Sequence, residues 1–116
     1  MRQIRAIDND PTAVEVAEEN VSMNSVWDQI RVSGTPLEEL SEEFEVVVAN
    51  IIAPVLLRLS ADLVSATAMN GHLLLSGILV EEVDEVSRIF CESGMVEQAR
   101  DSENGWSCLH LRRAQI

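Results

Sequence analysis

Lysine is absent from this sequence of 116 residues, in which all eight basic residues are arginine. Schiff-base catalysis by a lysine amine of this chain is therefore excluded. Basic residues are also few, because twenty acidic residues against eight basic ones give a net charge of −12. Nucleic acids and anionic membranes are recognised through clustered positive charge. We therefore expect neither as a partner, and the balance suits either a basic partner or a solvated acidic surface.

Cysteine is scarce and long apolar runs are missing. Cys91 and Cys108 form no Cys-x-x-Cys pair, so no disulfide framework is indicated. His72 and His110 are lone residues on predicted strands, without a carboxylate or thiol at ligand spacing, and no metal site is predicted. No apolar run approaches the ~18 residues of a transmembrane helix, and the start lacks the pattern of a secretory signal. These features favour a reducing cytoplasm.

The sequence does contain an alternation of β-type and helical segments. Asp10 followed by Pro11 is a strong helix start, and Asn104-Gly105 is a strong hairpin turn. The run 44–50 has the β-branched composition of a parallel strand buried on both faces. We predict, in order, strand 3–8, helix 11–23 ended by a left-handed Asn24, strand 29–33, a weak helical turn within 37–43, strand 44–50, helix 54–70, strand 72–76, helix 80–93 and strands 95–102 and 105–112. This order predicts an α/β fold with parallel crossovers.

Three predicted strands end in residues with suggestive chemistry, namely Asp8, Asn50 and Ser76-Gly77. Ligands of such sheets bind beyond the carboxyl ends of the strands. The Asp8 carboxylate can accept hydrogen bonds from the ribose of an adenosine ligand, or it can be a surface acid beside a helix start. The Asn50 carbonyl can accept a hydrogen bond from an amine, or the residue can simply cap the next helix. Ser76 lacks the surroundings of a hydrolase nucleophile.

Four blocks of the sequence resemble a known family. They are AIDNDP at 6–11, VANIIA at 48–53, LLSGIL at 74–79 and GWSCLHLRR at 105–113. With them the chain resembles, over essentially its whole length, the methyltransferases that modify large-subunit ribosomal protein eleven. The acid at the end of the first predicted strand is shared by the whole S-adenosylmethionine-dependent superfamily, whereas the second and third blocks together are specific to the family.

The resemblance implies a class I, Rossmann-like methyltransferase sheet in the order third, second, first, fourth, fifth, seventh, sixth, with the seventh strand antiparallel. By residue-wise transfer, Asp8 would bind the ribose of S-adenosylmethionine, and Gly34 and Thr35 would lie along its adenine. Asn50 would be the catalytic residue that orients the substrate amino group. The implied substrate is a basic ribosomal protein, methylated on lysine side chains and at its amino terminus.

The chain also departs from the family. Its members carry a substrate-recognition domain, followed by a first strand whose glycine-rich turn holds the cofactor, and no two of the five glycines here have Gly-x-Gly spacing. We therefore expect residues 1–116 to be a single partial domain that starts at the family's second strand and is inactive alone. A missing strand would leave two sheet edges open, which favours a homodimer or a swapped assembly. The alternative is a non-catalytic α/β module stabilised by self-association or by a partner chain.

Overall fold

The structure, a computed structural model, describes residues 4–8, 10–24 and 30–114. The chain divides into two compact units, 1–40 and 41–116. The elements are, in order, β1 (Ile4–Ile7), α1 (Pro11–Met23), β2 (Ile30–Ser33), a 3₁₀ turn (Leu37–Glu39), β3 (Phe44–Asn50), α2 (Ala53–Arg58), α3 (Ser60–Ala66), β4 (Thr67–Leu79), α4 (Val83–Glu92), β5 (Met95–Glu103) and β6 (Trp106–Arg113). Within these ranges no helix has both the length and the apolar character needed to cross a membrane.

The first unit consists of a parallel pair, β1 and β2, and the helix α1. The predicted start of α1 is confirmed, because the Asp10 carboxylate accepts a hydrogen bond from the backbone N–H of Thr12 at 3.0 Å. The predicted left-handed end is wrong, because Asn24 has φ −97°. Its side-chain amide instead donates to the carbonyl of Asn20 at 2.8 Å, which ends the helix without a positive φ. No residue of α1 is fully buried, so its apolar stripe is only half covered.

The cap of α1 gives a direct stability prediction. Replacing Asp10 by alanine removes the side-chain cap at this helix start and is expected to cost about 1 kcal/mol of helix stability. Hydrogen exchange of the amides in the first turn of α1 should speed up accordingly. Asp10→Asn keeps an acceptor oxygen and is the matched control. Equal protection in the alanine and asparagine variants would contradict the capping role.

The second unit is built on a four-stranded sheet in the order β3-β4-β6-β5. β3 and β4 are parallel, whereas β6 is antiparallel to both of its neighbours. The expected sheet order is thus found in two pieces, with β2 and β1 in one sheet and β3, β4, β6 and β5 in the other. The α/β fold class, its antiparallel strand and its terminal hairpin are confirmed. The hairpin turn has φ 54° at Asn104 and 84° at Gly105, as a type I′ turn requires.

One face of this sheet carries the core. Alternate residues of β4 and β6 point to the same face and pack with side chains of α2, α3 and α4. The fully buried apolar side chains are Leu56, Leu73, Leu75, Ile78, Val86, Phe90, Leu109 and Leu111. This single continuous core accounts for the stability of the second unit, since burying one leucine-sized side chain contributes about 1.5–3 kcal/mol.

The opposite face of the sheet is open, which corrects one prediction. Val46 and Val48 on β3 are 56% and 68% exposed, and Leu74 beside them on β4 is 38% exposed. Only Ala49 of β3 is fully buried. Burial of this strand on both faces was therefore wrong, because the helices of this unit cover the face that carries Ala49 and Leu73.

The boundary between the second predicted helix and the next strand also differs. Instead of one helix over 54–70, the chain forms α2 and α3 with a break at Leu59, and β4 begins at Thr67. Asn70 and Gly71, predicted to stop the helix, lie within β4, where Asn70 has φ 64°. A Cβ at Gly71 would come within 2.9 Å of the carbonyl oxygen of Glu45 on the neighbouring strand. Asn-Gly therefore marks an irregularity in the pairing of β3 with β4 rather than a helix end.

An ion-pair cluster joins α4 to β5. The Glu97 carboxylate accepts hydrogen bonds from Ser87 Oγ at 2.5 Å and from the Arg100 guanidinium at 2.8 and 3.0 Å. Arg100 also donates to Asp84 at 2.7 Å. The hydrogen bonds from Arg100, and then from Ser87, lower the pKa of Glu97 below its ordinary value.

This lowered pKa predicts a pH-dependent contribution to stability. A carboxylate whose folded-state pKa is lowered stabilises the folded state above its unfolded pKa, near pH 4.5 or slightly below, and loses that effect as the pH falls further. Because Glu97 and Arg100 are both partly exposed, we expect no more than about 1 kcal/mol. Urea unfolding of Glu97→Gln should show a deficit at pH 7 that shrinks below pH 4. Glu103→Gln on the same strand is the control, and a pH-independent deficit would contradict the assignment.

Candidate functional site

The three predicted cofactor-binding residues lie together at the carboxyl ends of β1 and β2. The backbone N–H of Asp8 donates to the carbonyl of Ser33 at 3.2 Å, which brings the two strand ends side by side. Gly34 is the residue directly after Ser33, and a Cβ on Gly34 would lie 3.6 Å from the carbonyl oxygen of Asp8. The Thr35 hydroxyl accepts a hydrogen bond from Ser33 Oγ at 3.0 Å. The strand ends therefore form one small polar cluster of Asp8, Gly34 and Thr35.

The Asp8 carboxylate retains acceptor capacity in this cluster. Its Oδ1 accepts the backbone N–H of Asp10 at 2.9 Å, which fixes its direction at the start of α1. Its other oxygen has no hydrogen bond to any residue of the described part of the chain, and the side chain is exposed. A carboxylate offers about four lone-pair sites. The turn-forming role and a ligand-binding role are therefore compatible at this residue.

Asn50 occupies the end of β3, opposite Ser76 in the pairing with β4. The next residue, Ile51, donates its backbone N–H to the carbonyl of Ser76 at 3.2 Å and closes the strand pair. The alternative that Asn50 caps the following helix is wrong, because α2 begins after Ile52 and has no side-chain cap. The Asn50 side chain is exposed and makes no hydrogen bond to another residue in the described ranges. Its amide is therefore available to a ligand.

The candidate residues thus form two groups, one in each unit. Asp8, Gly34 and Thr35 belong to the first unit, and Asn50 belongs to the second. The α/β pattern had suggested Asp8 and Asn50 as strand ends, whereas Gly34 and Thr35 were implied by the family resemblance. It did not predict the role of Gly77, whose φ of 82° and close approach to Asn50 are described below. The available signal was a glycine in an otherwise apolar strand, which is typical of a close backbone approach.

The histidines and cysteines depart from expectation. His72 and His110 are not lone residues, because His72 Nδ1 and His110 Nε2 are 2.9 Å apart on the adjacent strands β4 and β6. In the sequence Cys91 falls on the apolar side of its predicted helix, which predicts a small core residue. That prediction is wrong, because Cys91 is exposed; Cys108 is exposed as well. In residues 4–8, 10–24 and 30–114 no group of three or more histidine, cysteine, aspartate or glutamate side chains is arranged to hold a metal ion.

The strand order and the open carboxyl ends define a fold of the class I methyltransferases, as solved structures show. A ribosomal protein L11 methylase from Lactobacillus delbrueckii subsp. bulgaricus superposes with a TM-score of 0.89 at 25% identity, covering 97% of this chain and 58% of its own. The N-methyltransferase NodS from Bradyrhizobium japonicum, solved with S-adenosyl-l-homocysteine, gives a TM-score of 0.73 at 18% identity, covering 96% of this chain and 66% of its own.

The family itself follows from sequence comparison. The family model of the ribosomal protein L11 methyltransferases (PrmA) matches residues 1–114, so the chain belongs to this family. The ribosomal protein L11 methyltransferase of Trichlorobacter lovleyi is 44% identical over 111 residues, which are 96% of this chain and 36% of the relative. That of Citrifermentans bemidjiense is 44% identical over 112 residues, 97% of this chain and 36% of the relative. The chain therefore spans about a third of the length of these relatives.

Proposed function

We propose that residues 1–116 form a single partial domain, the carboxyl-terminal part of the catalytic domain of an S-adenosylmethionine-dependent protein methyltransferase that modifies amino groups of a ribosomal protein. The observation that carries this proposal is the family match over residues 1–114. The polar groups at the ends of β1, β2 and β3, of which Asp8 and Asn50 are exposed and Thr35 is half-buried, would supply the chemistry that such a reaction needs.

The first unit fits the adenosine end of the cofactor. The spare acceptor capacity of the Asp8 carboxylate would receive the ribose hydroxyls, which are hydrogen-bond donors. Gly34, exposed and without a side chain, would let the adenine approach the backbone after β2 beside Thr35. None of the five glycines forms the Gly-x-Gly turn that holds the methionine end in the family. The chain therefore accounts for one end of the cofactor only.

The second unit would hold the substrate. When bound, S-adenosylmethionine would supply an electrophilic sulfonium methyl group to a neutral amine and leave as S-adenosylhomocysteine, with one proton passing from the methylated amine to water. Asp8, Gly34 and Thr35 would hold its adenosine end. In this reaction the Asn50 carbonyl would accept a hydrogen bond from the amine and aim its lone pair. Such positioning, rather than a strong base, is what an in-line transfer requires.

The charge of the chain suits the proposed substrate. A net charge of −12 attracts a basic protein and increases its rate of encounter, an effect that salt should weaken. Ribosomal protein L11 is named as the substrate in the relatives' descriptions. We propose such a ribosomal protein as the partner and the cytoplasm as the compartment.

A chimera tests the proposed function. Residues 1–114 replace the matching segment of the Trichlorobacter lovleyi relative, and the purified chimera is assayed for transfer of labelled methyl groups from S-adenosylmethionine to ribosomal protein L11. We expect transfer at a rate comparable to that of the intact relative. A chimera that is folded and binds the cofactor but methylates nothing would contradict the proposal.

The Asp8 assignment predicts a change in cofactor affinity. In the chimera, Asp8→Ala should weaken binding of S-adenosylmethionine by about 1–3 kcal/mol, or roughly 5- to 150-fold, because hydrogen bonds to a charged acceptor are lost. Isothermal titration calorimetry measures the effect. Asp101→Ala, an exposed carboxylate on β5, is the control. Unchanged affinity in Asp8→Ala would remove this residue from the site.

A further inference from the structure

We propose that Gly77 is a positioning residue that sets the direction of the Asn50 side-chain amide; the catalytic meaning of this inference rests on the proposed function. Gly77 follows Ser76, the residue paired with Asn50 across β3 and β4. Its φ of 82° lies in the left-handed region, which residues with a side chain rarely adopt. At this point the regular register of β4 with β6 is also interrupted, so β4 bends where it passes the end of β3.

The space beside Gly77 is taken by Asn50. A Cβ at position 77 would lie 2.8 Å from Asn50 Oδ1, whereas ordinary van der Waals contact of a Cβ lies at 3.4–4 Å. The same Cβ would lie 3.2 Å from the carbonyl oxygen and 3.3 Å from the nitrogen of Ile51. Of these three atoms only Oδ1 stands at the end of a rotatable side chain. Any side chain at position 77 would therefore turn the Asn50 amide away from its present direction.

The present direction of this amide depends on the space that Gly77 leaves free rather than on a hydrogen bond. The Asn50 side chain makes no hydrogen bond to any other residue in the described ranges, so no partner fixes its rotamer. A Cβ at position 77 would occupy the space beside Oδ1, which the glycine leaves free. Since Oδ1 is the atom that would accept the hydrogen bond of the substrate amine, a glycine at 77 allows the acceptor to keep the direction that the structure shows.

The backbone strain of a substitution can be separated from its contact with Asn50. Gly105 has nearly the same positive φ, 84°, but a Cβ there would meet nothing within 4 Å. Gly105→Ala therefore carries the same conformational strain without the contact. In the 116-residue chain labelled with 15N-asparagine, Gly77→Ala should shift the side-chain amide resonances of Asn50, identified by their loss in Asn50→Ala. Gly105→Ala should leave them in place. Unshifted Asn50 resonances in a folded Gly77→Ala variant would overturn the proposal.

A double-mutant comparison covers the case in which Gly77→Ala folds poorly. The loss in thermal midpoint caused by Gly77→Ala should be smaller in the Asn50→Ala background, where the opposing atom is gone. An equal loss in both backgrounds would overturn the proposal, because the conflict would then lie with the Ile51 backbone or with φ alone. Failure of the double variant to fold would overturn it for the same reason.

Activity separates this inference from the proposed function. In the chimera, Gly77→Ala should lower kcat by roughly 10- to 100-fold, as small misplacements of positioning groups do, with unchanged cofactor affinity. It should cause no further loss when Asn50 is already alanine. If Gly77→Ala moves the amide but Asn50→Ala keeps full activity, the proposed catalytic role of Asn50 is contradicted. The effect of residue 77 on the direction of the Asn50 amide is then still supported.

Discussion

Replacing Asn50 by alanine in the chimera is expected to lower kcat of methyl transfer by about 100-fold while the affinity for S-adenosylmethionine stays within about twofold. The carbonyl that would aim the amine lone pair is lost, whereas the cofactor candidates at β1 and β2 belong to the other unit. Because Asn50 has no hydrogen bond to another described residue and is exposed, its removal should hardly change the free energy of unfolding. The effect should therefore appear in catalysis and not in stability.

The measurement pairs single-turnover transfer of labelled methyl with calorimetric titration of the cofactor. Asn20→Ala is the matched control, since it removes another exposed asparagine amide, within α1. Asn50→Asp keeps an acceptor oxygen and should retain more activity than the alanine variant. Full activity of Asn50→Ala would show that the residue only ends the strand.

Local chemistry made the element types predictable from the sequence. Asp10-Pro11 starts a helix and Asn104-Gly105 forms a turn through contacts between residues close in sequence. Both the helix start and the hairpin turn form as predicted. Asn70-Gly71 carries a similar local signal, but its outcome depends on β3, whose carbonyl at Glu45 approaches the glycine. A contact between residues distant in sequence cannot be read from the dipeptide alone.

Burial was less predictable than element type for a related reason. The β-branched residues of β3 are typical of a strand that is covered on both faces, as strands in many parallel sheets are. Composition alone does not show whether other elements cover both faces. Val46 and Val48 are nevertheless exposed, because covering the second face requires elements other than α2, α3 and α4. The same reasoning applies to α1, whose apolar stripe is evident in the sequence but only half-buried in the structure.

The candidate site was predictable at the level of strand ends. Polar residues after apolar strands identified Asp8 and Asn50, since the carboxyl ends of parallel strands are where such folds bind ligands. Their detailed surroundings were not predictable. The bond from Asp10 to the Asp8 carboxylate is a matter of turn geometry, and the approach of Gly77 to Asn50 joins residues 27 positions apart in sequence.

The open face and edge of β3 predict that the 116-residue chain associates with itself. Within the described strands, β3 pairs with β4 alone, so its other side is an edge of the sheet. Val46 and Val48 beside that edge are more than half exposed. Unpaired edges with apolar neighbours favour association with another chain, and a buried backbone group left unpaired costs about 1–3 kcal/mol.

We therefore propose that the isolated chain forms a dimer or a swapped assembly and transfers no methyl group, since it has no Gly-x-Gly turn for the methionine end of the cofactor. Sedimentation equilibrium gives the mass, and the labelled-methyl assay gives the activity. Val48→Glu should shift the assembly towards monomer, because it places a like charge on each copy of an already acidic chain. Val80→Glu alters a valine that is 43% exposed in the turn after β4, outside both edge strands, and is expected to leave the mass unchanged. A wild-type monomer would contradict the assembly, and cofactor-dependent methylation by the isolated chain would contradict its inactivity.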